Sequence, residues 1–323
     1  MQLLIKQCDN DGRLALIEKF LETNWQIVVA NERDSRAFET AVTQADALIS
    51  MDWRWDIDSS RLKLLHLPGA GTDAIQFSKL SASTTVCNVF EHDIGIAEYV
   101  MAGMLEMTLG LRAMDQNIRQ GRWNGSYLCG PRHGELFGQT LGIVGYGRIG
   151  REVARRAQAF GMRVIACSRT ARSTDEFAER VDAMAQFDRF VQESDFIVVA
   201  MPLTDSTRGL FNRAVFEKMK SSAVIVNVAR GAIIDEAALY YALKSKRIGG
   251  AVIDTWYHYP KQGENFGRPS TLPFHELDNI IMSPHASGWT TNLTARRCRG
   301  IADNLNRLAR GEPLINIVKQ GQV

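Results

Sequence analysis

The segment Thr140-Leu-Gly-Ile-Val-Gly-Tyr-Gly-Arg-Ile-Gly150 sets Gly145, Gly147 and Gly150 in the spacing G-x-G-x-x-G. An apolar run precedes it and an amphipathic stretch over 148–160 follows. A second apolar run over 162–168 completes a strand–helix–strand unit of about 30 residues. Each glycine has its own task in such a unit. Gly145 permits the tight turn, Gly147 lets a pyrophosphate approach the backbone, and Gly150 lets the helix pack closely on the strand. Tyr146, Arg148 and Ile149 complete the turn and open the helix, whose free N–H groups and positive dipole end suit phosphates. The chemistry implied is dinucleotide binding.

The end of the second strand selects between cofactors. A ribose 2′-OH is bound by an acidic residue about 20 positions beyond the glycines. Here the strand ends Ala166-Cys167-Ser168-Arg169-Thr170, with no carboxylate. Ser168 and Thr170 can donate hydrogen bonds, and Arg169 can pair with a 2′-phosphate. NADP(H) is therefore the expected cofactor, with NAD(H) the second choice.

The elements that must hold these residues come as short Val- and Ile-rich runs with helical stretches between them. One series covers 3–6, 26–30, 47–50, 62–67 and 84–89; a second covers 141–145, 163–168, 196–200, 223–228, 251–254 and 280–283. Near-continuous apolar strands suit a sheet covered by helices on both faces. The fold class expected is α/β, with two Rossmann-like doubly wound parallel-sheet domains. Long helical stretches over 97–119 and 291–310 read as crossings between lobes. The tail then returns to the first lobe, so that domain is discontinuous: 1–96 with 288–323, around a nucleotide-binding domain over 97–287.

Composition limits the alternatives. The 323 residues allow about two domains. Lys plus Arg is 38 and Asp plus Glu is 36, a net charge of +2, which argues against a broad basic surface for nucleic acid. No run of about 18 apolar residues occurs, so no membrane-spanning helix is expected. The N-terminus lacks a signal peptide's basic start and long apolar run. Cys8, Cys87, Cys129, Cys167 and Cys298 are scattered, and the six histidines show no metal-ligand spacing. Neither a metal site nor a disulfide framework is expected, and a reducing cytoplasm is the simplest location.

Further motifs follow in order: Gly69-Ala-Gly-Thr-Asp73, Ile96-Ala-Glu-Tyr99, Met201-Pro-Leu-Thr204, Asn227-Val-Ala-Arg-Gly231, Ala251-Val-Ile-Asp254 and Ser283-Pro-His285. With the glycine turn they resemble the D-isomer-specific 2-hydroxyacid dehydrogenases, a family that includes glyoxylate/hydroxypyruvate reductases and phosphoglycerate dehydrogenases. The resemblance covers nearly the whole chain. It implies reduction of a small 2-oxoacid to the D-2-hydroxyacid in a homodimer whose interface includes the 97–119 helix. That chemistry needs a cation for the carboxylate and carbonyl, and an acid for the new alkoxide. By resemblance Arg230 orients the substrate and His285 is the acid/base. Asp254 is placed at the nicotinamide, with Val228, Ala229 and Ser287 on the cofactor side. Met201, Pro202 and Thr207 are placed on the adenine and ribose wall. Ala70 and Gly71 are placed at the substrate carboxylate. His66, His133, His258 and His275 read as structural or exposed.

The chain departs from the family pattern at two places. Most members carry a glutamate five residues after the aspartate, where it raises the pKa of the histidine. In Asp254-Thr-Trp-Tyr-His-Tyr-Pro260 that position is Tyr259, which can fix the imidazole tautomer but supplies no charge. The alternative is that Glu264 or Glu276 reaches the histidine. The second departure is His92, where the family commonly has Asn; it is a further candidate substrate contact. Two other functions stay open. One is formate-dehydrogenase-like hydride transfer, because those enzymes also lack the glutamate and His285-Ala-Ser-Gly288 resembles theirs. The other is a non-catalytic dinucleotide sensor.

Overall fold

The computed structural model describes residues 1–7, 12–171, 173, 175–261 and 263–322; Cys8 lies outside them. The chain divides into two compact units, Met1–His92 with Thr290–Val323, and Asp93–Trp289.

The first unit holds β1 (Gln2–Lys6), α1 (Arg13–Phe20), β2 (Gln26–Ala30), α2 (Ser35–Gln44), β3 (Ala47–Ile49), β4 (Leu64–His66) and β5 (Thr85–Cys87). The second holds α3 (Asp93–Leu109), α4 (Leu111–Arg119), β6 (Thr140–Val144), α5 (Arg148–Ala159), β7 (Arg163–Ser168), β8 (Arg180–Ala183), α6 (Phe187–Glu193), β9 (Phe196–Val199), α7 (Arg213–Lys218), β10 (Val224–Asn227), α8 (Glu236–Lys244), β11 (Gly250–Ile253) and β12 (Ile280–Met282). The chain then completes the first unit with α9 (Leu293–Arg310) and β13 (Ile317–Lys319).

The first sheet runs β13-β5-β4-β3-β1-β2. It is parallel except for β13, which pairs antiparallel with β5. Neighbouring residues of one strand enter opposite cores: Leu4, Leu48 and Leu65 pack on one face, Leu3, Ile49 and Leu64 on the other. The returning tail is pinned by Asn304 of α9, which accepts the Ile315 N–H at 2.9 Å and donates to the Ile315 carbonyl at 3.0 Å. Asn304 also donates to Nε2 of His66 at 3.0 Å, while Nδ1 of that ring donates to the Leu67 carbonyl at 3.1 Å. His66 is thereby fully buried as a neutral ring, with its pKa pushed down from 6.5 to about 4 by loss of hydration.

The second sheet runs β12-β11-β10-β9-β6-β7-β8, and all its pairings are parallel. It too is covered on both faces. Ile197, Val199, Ile225 and Ile253 enter one core, Val198, Val226 and Val252 the other. The period-2 alternation of a strand makes this split.

The helix expected over 97–119 is two helices, because Gly110 adopts φ +67° between α3 and α4. A left-handed residue ends an α-helix, and glycine takes that conformation without a Cβ penalty. The two helices meet at a bend of 55°, and among the described residues no single helix is long and apolar enough to cross a membrane.

Candidate active site

The glycine turn joins β6 to α5 in the second unit. Gly145 has φ +98°, and a Cβ there would lie 2.6 Å from the Met201 backbone N. A Cβ on Gly150 would lie 2.5 Å from the Gly145 carbonyl oxygen. At Gly147 a Cβ would meet nothing within 4 Å. Two glycines are thus required by packing, and the middle one faces open space. Gly147 is also the N-cap of α5 and supplies no side-chain cap to the first turn. An accessible backbone at an uncapped helix start fits the pyrophosphate of a dinucleotide. The Tyr146 side chain is not part of that surface: it is buried, and its hydroxyl donates to Asp175 at 2.6 Å. Ile149 is half-buried and Arg148 exposed.

At the end of β7 the Ser168 hydroxyl is buried and donates to the Thr170 carbonyl at 2.6 Å. Ser168 therefore shapes the turn that carries Arg169 and Thr170. Arg169 and Thr170 are exposed. The nearby Asp175 is engaged by Tyr146 and by Arg151 at 3.0 Å. In the loop after β9, Thr207 accepts the Thr204 N–H at 2.7 Å and donates to the Pro202 carbonyl at 2.9 Å. This hydroxyl closes the loop that carries Met201 and Pro202.

Beyond β10, Asn227 is buried and shapes the next turn. It accepts the Ala229 N–H at 3.1 Å and donates to the Arg230 carbonyl at 3.0 Å. Val228 and Ala229 are buried, and Arg230 turns outward with Nη1 on the Ala229 carbonyl at 2.8 Å.

His285 follows β12 with φ +58°, in the left-handed region that a non-glycine residue seldom takes. Several contacts hold it there. The Tyr259 hydroxyl lies 3.0 Å from its Nδ1 and accepts the Trp256 N–H at 3.1 Å. The Trp256 indole N–H donates to the Ser283 carbonyl at 2.7 Å. Asp254 is completely buried. Its Oδ1 accepts from the Ser283 hydroxyl at 2.5 Å and the Ala286 N–H at 2.8 Å, and its Oδ2 accepts the Ser287 N–H at 3.0 Å. The Asp254 carboxylate is turned into the 283–287 segment, where it holds the Ser283 side chain before the histidine and the backbone of Ala286 and Ser287 after it. Ser287 is buried in the same contact.

The His285 ring titrates below the ordinary 6.5. Crowding by surrounding protein is the main cause; Asp254 opposes the shift and the Arg230 guanidinium adds to it. Glu264 accepts the Lys261 N–H, and Glu276 is exposed on a short 3₁₀ turn. Among the described residues the group on Nδ1 is Tyr259.

One contact has no counterpart in the sequence reading. The Tyr99 hydroxyl of α3 lies 2.6 Å from Ser283 Oγ. Ser283 gives its only proton to Asp254, so Tyr99 is the donor. Both residues sit inside motifs singled out from the sequence, but spacing alone did not join them.

The remaining expected residues belong to the first unit. Ala70 and Gly71 are half-buried in the loop after β4, with the Ala70 carbonyl accepting from Asn88 at 2.9 Å. His92 is half-buried.

A doubly wound parallel sheet with an open glycine turn, carrying an arginine and a histidine beyond its strand ends, defines a dinucleotide-binding oxidoreductase type of fold. Residues 101–287 match the model of the D-isomer specific 2-hydroxyacid dehydrogenase NAD-binding domain, and the chain belongs to that family. It is 37% identical over 237 residues to a hydroxypyruvate reductase of Thermotoga maritima, covering 73% of this chain and 74% of that one. It is 33% identical over 263 residues to a D-3-phosphoglycerate dehydrogenase of Archaeoglobus fulgidus, covering 80% of this chain but 48% of that one. The chain thus spans about half the length of that relative. The fold matches an NAD-complexed D-isomer specific 2-hydroxyacid dehydrogenase from Lactobacillus delbrueckii ssp. bulgaricus with a TM-score of 0.80, 20% identity, and coverage of 98% and 100% of the two chains.

Proposed function

We propose that the chain reduces a small, unphosphorylated 2-oxoacid of the glyoxylate or hydroxypyruvate kind to the D-2-hydroxyacid, with NADPH preferred over NADH. The observation that carries this reading is that Arg230 and His285 both lie exposed beyond strand ends of one parallel sheet, the histidine with the Tyr259 hydroxyl on its Nδ1. When bound, the nicotinamide supplies a hydride to the carbonyl carbon. Arg230 draws the substrate carboxylate and carbonyl oxygen to one planar fork. The protonated His285 gives Nε2–H to the oxygen that becomes the alcohol. Its Nδ1–H stays on Tyr259 Oη, whose second lone pair already holds the Trp256 N–H. Hydride plus proton completes the two-electron reduction. By family likeness Ala70 and Gly71 hold the substrate carboxylate, and His92 is a further substrate contact. Arg169, exposed beside a strand end that carries no carboxylate, supports the NADPH preference.

A homodimer is part of the same reading. Leu111, Ile118, Trp123, Tyr127 and Leu128 leave an apolar exposed surface on and after α4. Patches of this kind mark protein contacts, and sedimentation of the wild type against Ile118→Lys tests it.

The deciding measurement is NADPH and NADH oxidation with glyoxylate, hydroxypyruvate, pyruvate and phenylpyruvate. His285→Ala is expected to lose turnover and keep cofactor binding. Arg230→Lys is expected to lose about 100-fold in kcat/KM, since a point charge cannot hold two oxygens in the arginine geometry. Tight NADPH binding with no turnover of any of the four acids would replace the enzyme with a dinucleotide sensor.

A further inference from the structure

We propose that Trp256 is a positioning residue that sets Arg230 and His285 against each other. It ties the arginine turn, the Tyr259 hydroxyl and the carbonyl that precedes the histidine to one buried residue. The catalytic meaning of this clamp rests on the reductase reading given above.

The sheet places the three residues in one row. β10, β11 and β12 are adjacent and parallel, with Asn227 paired to Ile253 and Ile253 to Met282. Each of these is the last residue of its strand, and Arg230, Trp256 and His285 each follow three residues later. Strands in a sheet lie about 4.8 Å apart, so Arg230 and His285 are carried by strands roughly 10 Å apart, with Trp256 on the strand between.

Trp256 reaches both neighbours. On the arginine side, a Cβ on Gly231 would lie 2.3 Å from the Trp256 carbonyl oxygen, so glycine is what lets that turn lie against this backbone. On the histidine side, the indole N–H donates to the Ser283 carbonyl at 2.7 Å, two residues before His285. The Trp256 backbone N–H donates to the Tyr259 hydroxyl at 3.1 Å, and that hydroxyl meets His285 Nδ1. The indole is buried and packs edge-on against Phe274, with ring centroids 6.0 Å apart. A buried N–H needs a partner, so the indole and the Ser283 carbonyl fix each other. His285 needs such support, because its φ of +58° is a conformation that a residue with a side chain seldom holds. A phenyl ring would fill much of the same space but has no donor. The tie on the histidine side can therefore be removed alone.

The test removes that N–H. Trp256→Phe is compared with the wild type and with benzothienylalanine at position 256, an isostere that keeps both rings and puts sulfur in place of the N–H. Ser283-Pro284 is the only Ser-Pro pair in the chain. Protein isotope-labelled at the serine carbonyl carbon and the proline nitrogen therefore gives one carbon–nitrogen NMR correlation, that of the Ser283 carbonyl. Both variants should move this signal, and a signal that stays overturns the contact. Per NADPH site counted by calorimetry, both should lower kcat for the 2-oxoacid about tenfold to 100-fold, with KM for the acid and affinity for NADPH little changed. A merely structural tryptophan would cost stability and folded sites but leave kcat per site unchanged, and that result overturns the proposal. If Trp256→Phe does not fold, the isostere decides. A wild type that turns over none of the four acids fails the reductase reading and not the clamp. The His285 ring signals, assigned by their loss in His285→Gln, should then still shift in the isostere, and unmoved signals overturn the clamp.

Discussion

The hydroxyl of Tyr259 lies 3.0 Å from Nδ1 of His285, where it orients the ring without lending it charge. The ring titrates below 6.5, chiefly through crowding by surrounding protein. In the proposed reduction the protonated ring is the acid, and that form dominates below the pKa. The reductive kcat should therefore fall as pH rises through a midpoint below 6.5, and hydroxyacid oxidation should rise through the same range. Tyr259→Glu, which places a charge on the ring, should move that midpoint upward by about one unit. A pH–rate profile in both directions checks this, and a reductive midpoint above 7 in the wild type contradicts it.

The three glycines separate folding from binding. Gly150→Ala drives a Cβ to within 2.5 Å of the Gly145 carbonyl oxygen, so it should destabilise the protein by about 1–3 kcal/mol. Gly147→Ala meets nothing within 4 Å and should leave thermal unfolding unchanged. It should nonetheless weaken NADPH binding at least about tenfold, because a methyl group then stands where the pyrophosphate approaches. Calorimetry of both variants with and without NADPH checks the contrast; unchanged NADPH affinity in Gly147→Ala counts against a pyrophosphate there.

Arg169 is exposed, and among the described residues it makes no ion pair. Arg169→Gln should raise the KM for NADPH by about tenfold to 100-fold and leave that for NADH nearly unchanged, the loss of one charge-assisted phosphate contact. Equal effects on both cofactors would remove Arg169 from the 2′-phosphate.

His66 sets an acid limit on the first unit. Its pKa is about 4 in the folded protein against 6.5 as the ordinary value. The unfolded chain binds the proton more readily, so the contribution is full above pH 6.5, shrinks as pH falls, and is gone near pH 4. At 1.36 kcal/mol per unit this amounts to about 3 kcal/mol. Urea unfolding at pH 7 and pH 5 should show the slope, and His66→Gln should flatten it.

Much of this architecture is legible in the amino-acid sequence because the strands are buried on both faces. Runs such as Phe196–Val199 and Val224–Asn227 stand out as continuous apolar segments. The two strands that do not stand out are edges. In β8, Arg180 pairs with Asp182 and Glu193, each at 2.8 Å, so its polarity conceals a strand. β13 is three residues with two exposed. Gly110 signals a break only once it takes a positive φ. At the site, Tyr259 is conspicuous for its place five residues after Asp254. The inward turn of Asp254 is not, because it depends on backbone N–H groups that every residue possesses. The Tyr99 contact joins positions 184 residues apart, which no local spacing can reveal.

The split first unit has a consequence for how the molecule is made. β13 seals the edge of β5, and α9 supplies the core residues Cys298, Ile301 and Leu305, only after the whole inserted unit has left the ribosome. The inserted unit holds all seven of its strands in one uninterrupted stretch and can close during synthesis. The first-made segment meanwhile waits with β5 as an uncovered sheet edge, the kind of surface that recruits stray strands. Protection by chaperones should matter most in that interval, and a version permuted to join the two parts of the first unit should shorten it.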